Sequence, residues 1–325
     1  MKKINSIKRP IEDNMGISVI VCCYNSNPVQ TIQTLTSIEK QKNLSFDIIL
    51  ADDGSIKRYL DIILHWIHQH GFTNISIVQN KKNKGTVRNF YSAVSLCKYP
   101  YIKIISPGDF LFDEFTLQKY LNCFIEKKAT IVTGKAIFYT SDYKIIPCLS
   151  IPYSKVQNHY LDLRKTVLFG SLYLGAALAY RKEFLEKSLP ILISEIGVVY
   201  LEDKPLVDIC ILNNLKFTYL PENVIWYEYG NGISTSLQPN SKLKKDDEAY
   251  FHWLGTRDNK FAKKGSKIYF SNSSERKKIL YKFLYTLFHP IYFLFTIINK
   301  LSRLSKKERN YETDITKMNR MINLD

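Results

Sequence analysis

The stretch from Ile17 to Ser55 constrains the fold most strongly. It reads as an apolar strand running into Cys22-Cys23-Tyr24-Asn25, then a helical segment, then a second apolar run, Ile48-Ile49-Leu50-Ala51, that ends in Asp52-Asp53-Gly54-Ser55. Strands that are apolar along their whole length have both faces covered, as parallel strands in α/β proteins do. Two such strands with polar ends bring those ends to one edge of a sheet, the carboxyl edge, where open α/β sheets bind ligands. Gly54 permits a sharp turn after the aspartates. Asp52, Asp53 and Ser55 would also serve as simple helix caps. With Tyr24 and Asn25 beside them, a nucleotide pocket is the reading that uses all of these residues.

The rhythm continues downstream. Apolar strands are expected at 17–22, 47–51, 75–79, 101–105 and 130–132, with helices at 29–40, 59–70, 86–97 and 114–126 between them. This βαβ alternation predicts an α/β fold with a Rossmann-like, mostly parallel, doubly wound sheet. Residues 1–16 read as a flexible lead-in, 17–137 as a nucleotide-binding half and 138–238 as a less regular, aromatic-rich acceptor half. Residues 239–325 read as a basic, helical C-terminal extension.

The net charge of +16 on 325 residues calls for an anionic partner: nucleic acid, a membrane surface or an anionic substrate. No nucleic-acid motif accompanies it, so nucleic acid is the weakest of these. Residues 279–299 are mostly apolar and aromatic, interrupted by Lys282, His289 and Pro290 and flanked by basic clusters. That pattern favours an anchor lying at the lipid interface, ahead of a buried helical hairpin or a true span. The six cysteines are scattered, without a CxxC pair or a His cluster at metal-ligand spacing, and read as buried free thiols of a reducing cytoplasm. The opening MKKINSIKRPIEDN is basic and lacks the apolar core of a signal peptide. The expected location is therefore the cytoplasm, peripherally on the inner face of the cell membrane.

Four further motifs carry chemistry. In Asn83-Lys84-Gly85-Thr86-Val87-Arg88, Gly85 sits between a strand and a helix, where backbone approaches a ligand closely. Arg88 falls in that helix's first turn, beside an anion-friendly N-terminus. Ser106-Pro107-Gly108-Asp109 follows the fourth strand and is also a strong turn signal. Tyr200-Leu201-Glu202-Asp203 pairs two acids at a helix start, which fits either general-base chemistry or ordinary N-terminal decoration. Gly230-Asn231-Gly232 makes a flexible loop ahead of Ser234, equally readable as a surface turn.

Taken together, ISVIVCCYNS, FDIILADDGS, NKGTVRNFYSA, YIKIISPGDFL, GAALAYRKEFL and YLEDKPL stand in the order found in family 2 glycosyltransferases of the GT-A fold, which this chain resembles from Ile17 to Ser236. The resemblance implies an inverting enzyme that moves a sugar from a nucleotide-diphosphate donor, here uridine-based, to a hydroxyl of a glycan or polyprenyl-linked glycan in bacterial surface polysaccharide assembly. It implies that Tyr24 borders the base and Asp53 accepts from its ring N–H. Asn25, Asp52, Gly85 and Arg88 would line the donor pocket, Ser106 and Gly108 the ribose and diphosphate, and Ser234 a late phosphate or metal contact. Asp203 matches the base, with Glu202 orienting the acceptor. The family usually carries Asp-x-Asp or Asp-x-Asp-Asp after the fourth strand to hold a divalent Mn²⁺ or Mg²⁺. Only Asp109 survives of it here, which puts strict metal dependence in doubt. A sugar nucleotidyltransferase lacks its glycine-rich basic signature, while a degenerate glycan-binding or scaffold protein stays open as the rival. The sequence leaves sugar, acceptor and oligomeric state open.

Overall fold

A strand buried along nearly all of its length, β1 (Gly16–Cys23), organises the molecule. The computed structural model describes residues 15–146, 173–230, 241–256 and 311–323. Seven more strands follow: β2 (Ser45–Asp52), β3 (Ile75–Gln79), β4 (Tyr101–Ile105), β5 (Phe110–Leu111), β6 (Ile131–Tyr139), β7 (Leu178–Arg181) and β8 (Phe217–Glu228). They form one sheet in the order β3-β2-β1-β4-β7-β6-β8-β5. β1 pairs in parallel with β2 and β4, and β3 continues in parallel beside β2. Beyond β4 the sheet is mixed. β7 runs antiparallel to β4 and β6, β8 runs parallel to β6, and β5 runs antiparallel to β8.

The helices are α1 (Pro28–Glu39), α2 (Lys57–Gln69), α3 (Thr86–Val94), α4 (Thr116–Lys127), α5 (Lys182–Ile191), α6 (Asp203–Leu212), α7 (Ser241–Thr256) and α8 (Tyr311–Ile322). α1 starts where Asn27 accepts the amide of Val29 at 2.9 Å and Pro28 occupies the first turn, both usual start signals. Because strand side chains alternate between faces, Ile17, Val19, Val21, Ile48 and Leu50 join one core with residues of α1, α2 and α4. Ile20, Ile49 and Ala51 join the opposite core, with residues of α3, α5, α6 and α7. The sheet is thus covered on both faces, as its apolar strands require.

Two boundaries differ from expectation by three residues or more. β6 extends to Tyr139 rather than ending at residue 132, because Gly134 and Lys135 interrupt its apolar pattern without ending the strand. Val224 of β8 fills the space over Gly134, and the register shifts on either side of Lys135. α3 closes at Val94, three residues early. The basic segment from residue 239 contributes two described helices, and both dock on the sheet. Tyr250, Phe251, Trp253 and Leu254 of α7 enter the second core. Met318, Met321 and Ile322 of α8 cover Phe110, Phe112 and Trp226. Among the described residues no helix is long and apolar enough to cross a membrane, and 279–299 lies outside them.

Trp226 joins β8 to the turn after β5. It is fully buried, stacks on Phe112 at 4.9 Å between centroids and donates from Nε1 to the Phe112 carbonyl at 3.0 Å. Trp226→Ala should therefore destabilise the protein by about 3–5 kcal/mol, measured by urea unfolding. A loss below about 1 kcal/mol would show that this edge does not belong to the cooperative core.

Candidate functional site

Four parallel strands end on the same edge, and their terminal loops are fastened to one another. Tyr24 follows β1 with its ring about half exposed (48%). Asn25 adopts a left-handed backbone (φ 47°), which asparagine tolerates better than most residues. Its amide donates to Ser55 Oγ at 2.7 Å and its Oδ1 accepts the Ile56 amide at 2.8 Å, so the loops after β1 and β2 are zipped together. Asp52 is fully buried and serves the turn: Oδ2 accepts from the Ser55 amide and from Gln79 Nε2, each at 3.1 Å.

Asp53 reaches across to the loop after β3. Its Oδ1 accepts from Asn80 Nδ2 and the Lys84 amide, both at 2.9 Å. Its Oδ2 accepts from the amides of Lys84 at 3.1 Å and Gly85 at 2.8 Å. A carboxylate offers roughly four acceptor positions, so Asp53 is fully engaged in shaping this loop. Gly85, at φ +89°, then turns into α3, and a Cβ there would lie 2.2 Å from Val199. The Val87 amide donates to the Val199 carbonyl at 3.0 Å. Arg88 stands partly exposed in the first turn of α3.

After β4, Ser106 is exposed and Gly108 takes φ +93°. Asp109 is nearly buried, and its Oδ1 accepts the Glu228 amide at 3.2 Å. Burial pushes its pKa up to about 8 against the counter-pull of that amide and of Lys103. β5 and β8 pair Phe110 with Trp226, and extending that register by two residues sets Glu228 opposite Gly108. A Cβ on Gly108 would lie 2.6 Å from Glu228 Oε2. Gln30 Nε2 donates to both Glu228 oxygens at 2.9 Å, and the Tyr139 hydroxyl donates to the Gly108 carbonyl. Glu228 and Gln30 escaped the sequence reading. The one local signal was a charged residue at the end of an apolar strand.

Glu202 and Asp203 open α6. Burial raises both pKa values, and the charge of Asp203 adds to the rise at Glu202. The Lys204 amide donates to Asp203 Oδ1 at 2.7 Å, and a Cβ on Gly175 would lie 2.7 Å from Asp203 Oδ2. The edge therefore brings together Tyr24, Asn25, Asp53, Gly85, Ser106, Gly108 and Asp109. The acid pair joins it through the contact of Val199 with Gly85. Ser234 lies outside the described residues. Among the described residues no group of three or more His, Cys, Asp or Glu could hold a metal by itself.

The model of glycosyl transferase family 2 matches residues 18–189, more than half of the chain. The chain belongs to that family. It is a glycosyltransferase, and its fold is the GT-A fold of its structural neighbours. S. aureus TarS (residues 1–349), solved in complex with UDP-GlcNAc, matches with a TM-score of 0.56 and 18% identity, over 77% of this chain and 69% of that TarS chain. The Pyrobaculum calidifontis mannosyltransferase PcManGT, solved with GDP-Man and Mn²⁺, matches with a TM-score of 0.52 and 14% identity, over 94% and 84%. In sequence, the chondroitin synthase of Pasteurella multocida (strain Pm70) is 25% identical over 136 residues, 41% of this chain. The match spans only 13% of that synthase.

The packing of Asp203 on Gly175 gives a sharp expectation for this transferase. Gly175→Ala would thrust a methyl group against the Asp203 carboxylate, which can swing aside, so stability should change by less than about 1 kcal/mol. Turnover, followed as nucleotide release, should fall by about tenfold or more. Unchanged turnover would mean that the position of Asp203 is immaterial to transfer.

Proposed function

We propose that this glycosyltransferase moves a sugar from a uridine-diphosphate donor to a hydroxyl of a glycan or lipid-linked glycan, with inversion. The observation that carries the reading is the junction at Val199. One loop, fixed by Asp53, presents Gly85 and the start of α3 to a donor, and the same loop packs on the segment leading into Glu202 and Asp203. Donor pocket and acid pair are thereby neighbours. TarS, whose fold matches, was solved with UDP and with UDP-GlcNAc, which favours uridine.

In this reading the base rests on the exposed Tyr24 ring and on the loop that Asp53 holds, while Arg88 and the amide end of α3 face the diphosphate. Asp203 takes the proton from the acceptor hydroxyl as it attacks the anomeric carbon from the face opposite the leaving diphosphate, and Glu202 orients the acceptor. A raised pKa suits a carboxylate to that task near neutral pH. The donor set at Gly108 fits a hard divalent cation held partly by diphosphate oxygens and water. Asp109 supplies one carboxylate, and Glu228 supplies another across the strand pair. Such an ion would offset charge on the leaving diphosphate, and PcManGT was solved with Mn²⁺. The basic, aromatic segment at 279–299 supports a place on the inner membrane surface, where lipid-linked acceptors would be met. The likeness to a stretch of chondroitin synthase supports a polysaccharide acceptor.

Asp203→Asn should abolish UDP release from a panel of UDP-sugars while leaving calorimetric UDP binding within about threefold. In the native protein, the rate should rise with pH through an inflection well above the ordinary carboxylate value of about 4. The deprotonated base is the active form and burial holds its pKa up, so the acid side is the inactive side. Full activity of Asp203→Asn removes that residue from the chemistry.

Titrating UDP, GDP, dTDP and CDP with and without Mn²⁺ tests the donor and the ion. UDP should bind most tightly, and Mn²⁺ should tighten it. Glu228→Gln should weaken Mn²⁺ binding, read by electron paramagnetic resonance in the presence of UDP, by about tenfold and leave metal-free UDP binding intact. Unaltered Mn²⁺ binding excludes Glu228 as a ligand. No binding of any of the four nucleotides favours a non-catalytic scaffold.

A further inference from the structure

Asp246 lies in the second turn of α7, within a lysine-rich run whose composition alone points to solvent. It is nevertheless almost completely buried (4% exposed). Its Oδ2 accepts the amide hydrogens of Val199 at 3.0 Å, Tyr200 at 2.5 Å and Leu201 at 2.9 Å. Three successive backbone N–H groups converging on one anionic oxygen make a concave anion site, filled here by a carboxylate from the chain itself. The next two residues are Glu202 and Asp203. A second clamp lies just beyond. Lys204 Nζ is 3.6 Å from Asp247 and 4.3 Å from the centre of the Phe251 ring, and the Tyr250 hydroxyl hydrogen-bonds Asp208.

We propose that Asp246 is a positioning residue for transfer, which fixes the Val199–Leu201 backbone and so sets Glu202 and Asp203 against the donor loop. The inference rests on the reading of that acid pair as the acceptor-activating group. Because Val199 also fills the space beside Gly85 and accepts from Val87, the segment is gripped between the donor half and α7. α7 falls outside residues 18–189, which the family model matches. A helix from the C-terminal segment therefore completes the site.

The charge of Asp246 has its own consequence. The groups acting on the pair are Lys204 from α6, Asp246 and Asp247 from α7, with Tyr180 of β7 and Cys22 of β1 also within electrostatic reach. Asp246 is one of the charges that hold the Glu202 pKa up. Removing it should lower the Glu202 pKa and so displace the acidic limb of the pH–rate profile, because Glu202 and Asp203 feel each other's charge.

The test uses the full chain. Asp246→Ala should speed hydrogen–deuterium exchange of the 199–201 amides by about tenfold or more. It should lower UDP release from the best UDP-sugar of the panel by about tenfold or more and leave UDP binding within about threefold. Asp246→Asn keeps an acceptor oxygen without the charge. It should recover part of the turnover with the acidic limb displaced, a displacement that lost folding stability would not cause. If Asp246→Ala fails to fold, Asp246→Asn decides the matter through faster exchange at 199–201 together with that displacement. Native exchange at 199–201, or native turnover with an unmoved limb, overturns the proposal. Native turnover in Asp203→Asn instead overturns the reading of the acid pair on which it rests.

Discussion

The Asp53 carboxylate is the constraint on which the site depends. It leaves the end of β2 and collects Asn80 and the amides of Lys84 and Gly85, and hydrogen bonds to a carboxylate are stronger than those between neutral groups. With Asn80 also bound to Asp52 and Asn89, that anchor sets the path of the loop after β3 up to the contact of Gly85 with Val199. This contact is one of those that set the acid pair against the carboxyl edge of the parallel strands. A side chain that reads as a ligand contact in sequence thus acts first as architecture. Its neighbour Asp52, equally prominent in the motif, is committed to its own turn and to Gln79.

A second buried charge ties the two halves from below. Lys103 on β4 has no exposed surface, and its ammonium donates to the carbonyls of Ile104 at 2.7 Å, Ala176 at 2.5 Å and Leu178 at 3.1 Å. Three donors meet three acceptors, which makes burial of the group tolerable. Burial still draws its pKa down to about 7, opposed by the charge of Asp109. The carbonyls belong to β4, just before Ser106, and to the turn from Gly175 to Leu178 on which Asp203 rests. The carboxyl edge of the parallel strands and the acid pair are therefore linked twice, through Val199 and through Lys103.

What could be read from sequence was whatever has a local signature. The parallel strands β1 to β4 announced themselves as apolar runs, and β3 and β4 fall at 75–79 and 101–105, as expected. The motif residues Tyr24, Asn25, Asp53, Gly85 and Asp109 gather at one edge because parallel strands leave no other arrangement. Three features were illegible. β5 has two residues, too few for any periodicity. β7 is antiparallel, and direction is set by the long connection before it rather than by its own residues. Asp246 sits among lysines, and nothing nearby in sequence announces that its partners are backbone amides some 45 residues earlier.

Glu228 and Gly108 show the same limit from the other side. In sequence the motif after β4 looks depleted, since Ser106 and Gly108 carry no carboxylate. In the fold, the strand pair β5–β8 brings Glu228 opposite Gly108, and its carboxylate lies where a side chain at 108 would begin. Cross-strand neighbours share a face, so a residue lost from one strand can be matched by one gained on the other. Glycine at 108 suits both its own backbone, at φ +93°, and Glu228, whose Oε2 would lie 2.6 Å from a Cβ there. Gln30, 198 residues earlier, holds both oxygens of that carboxylate in place. Asp109 and Glu228 thus lie close together across the strand pair, while the motif after β4 displays one carboxylate. A motif read along one strand does not display a carboxylate that a sheet brings in from another.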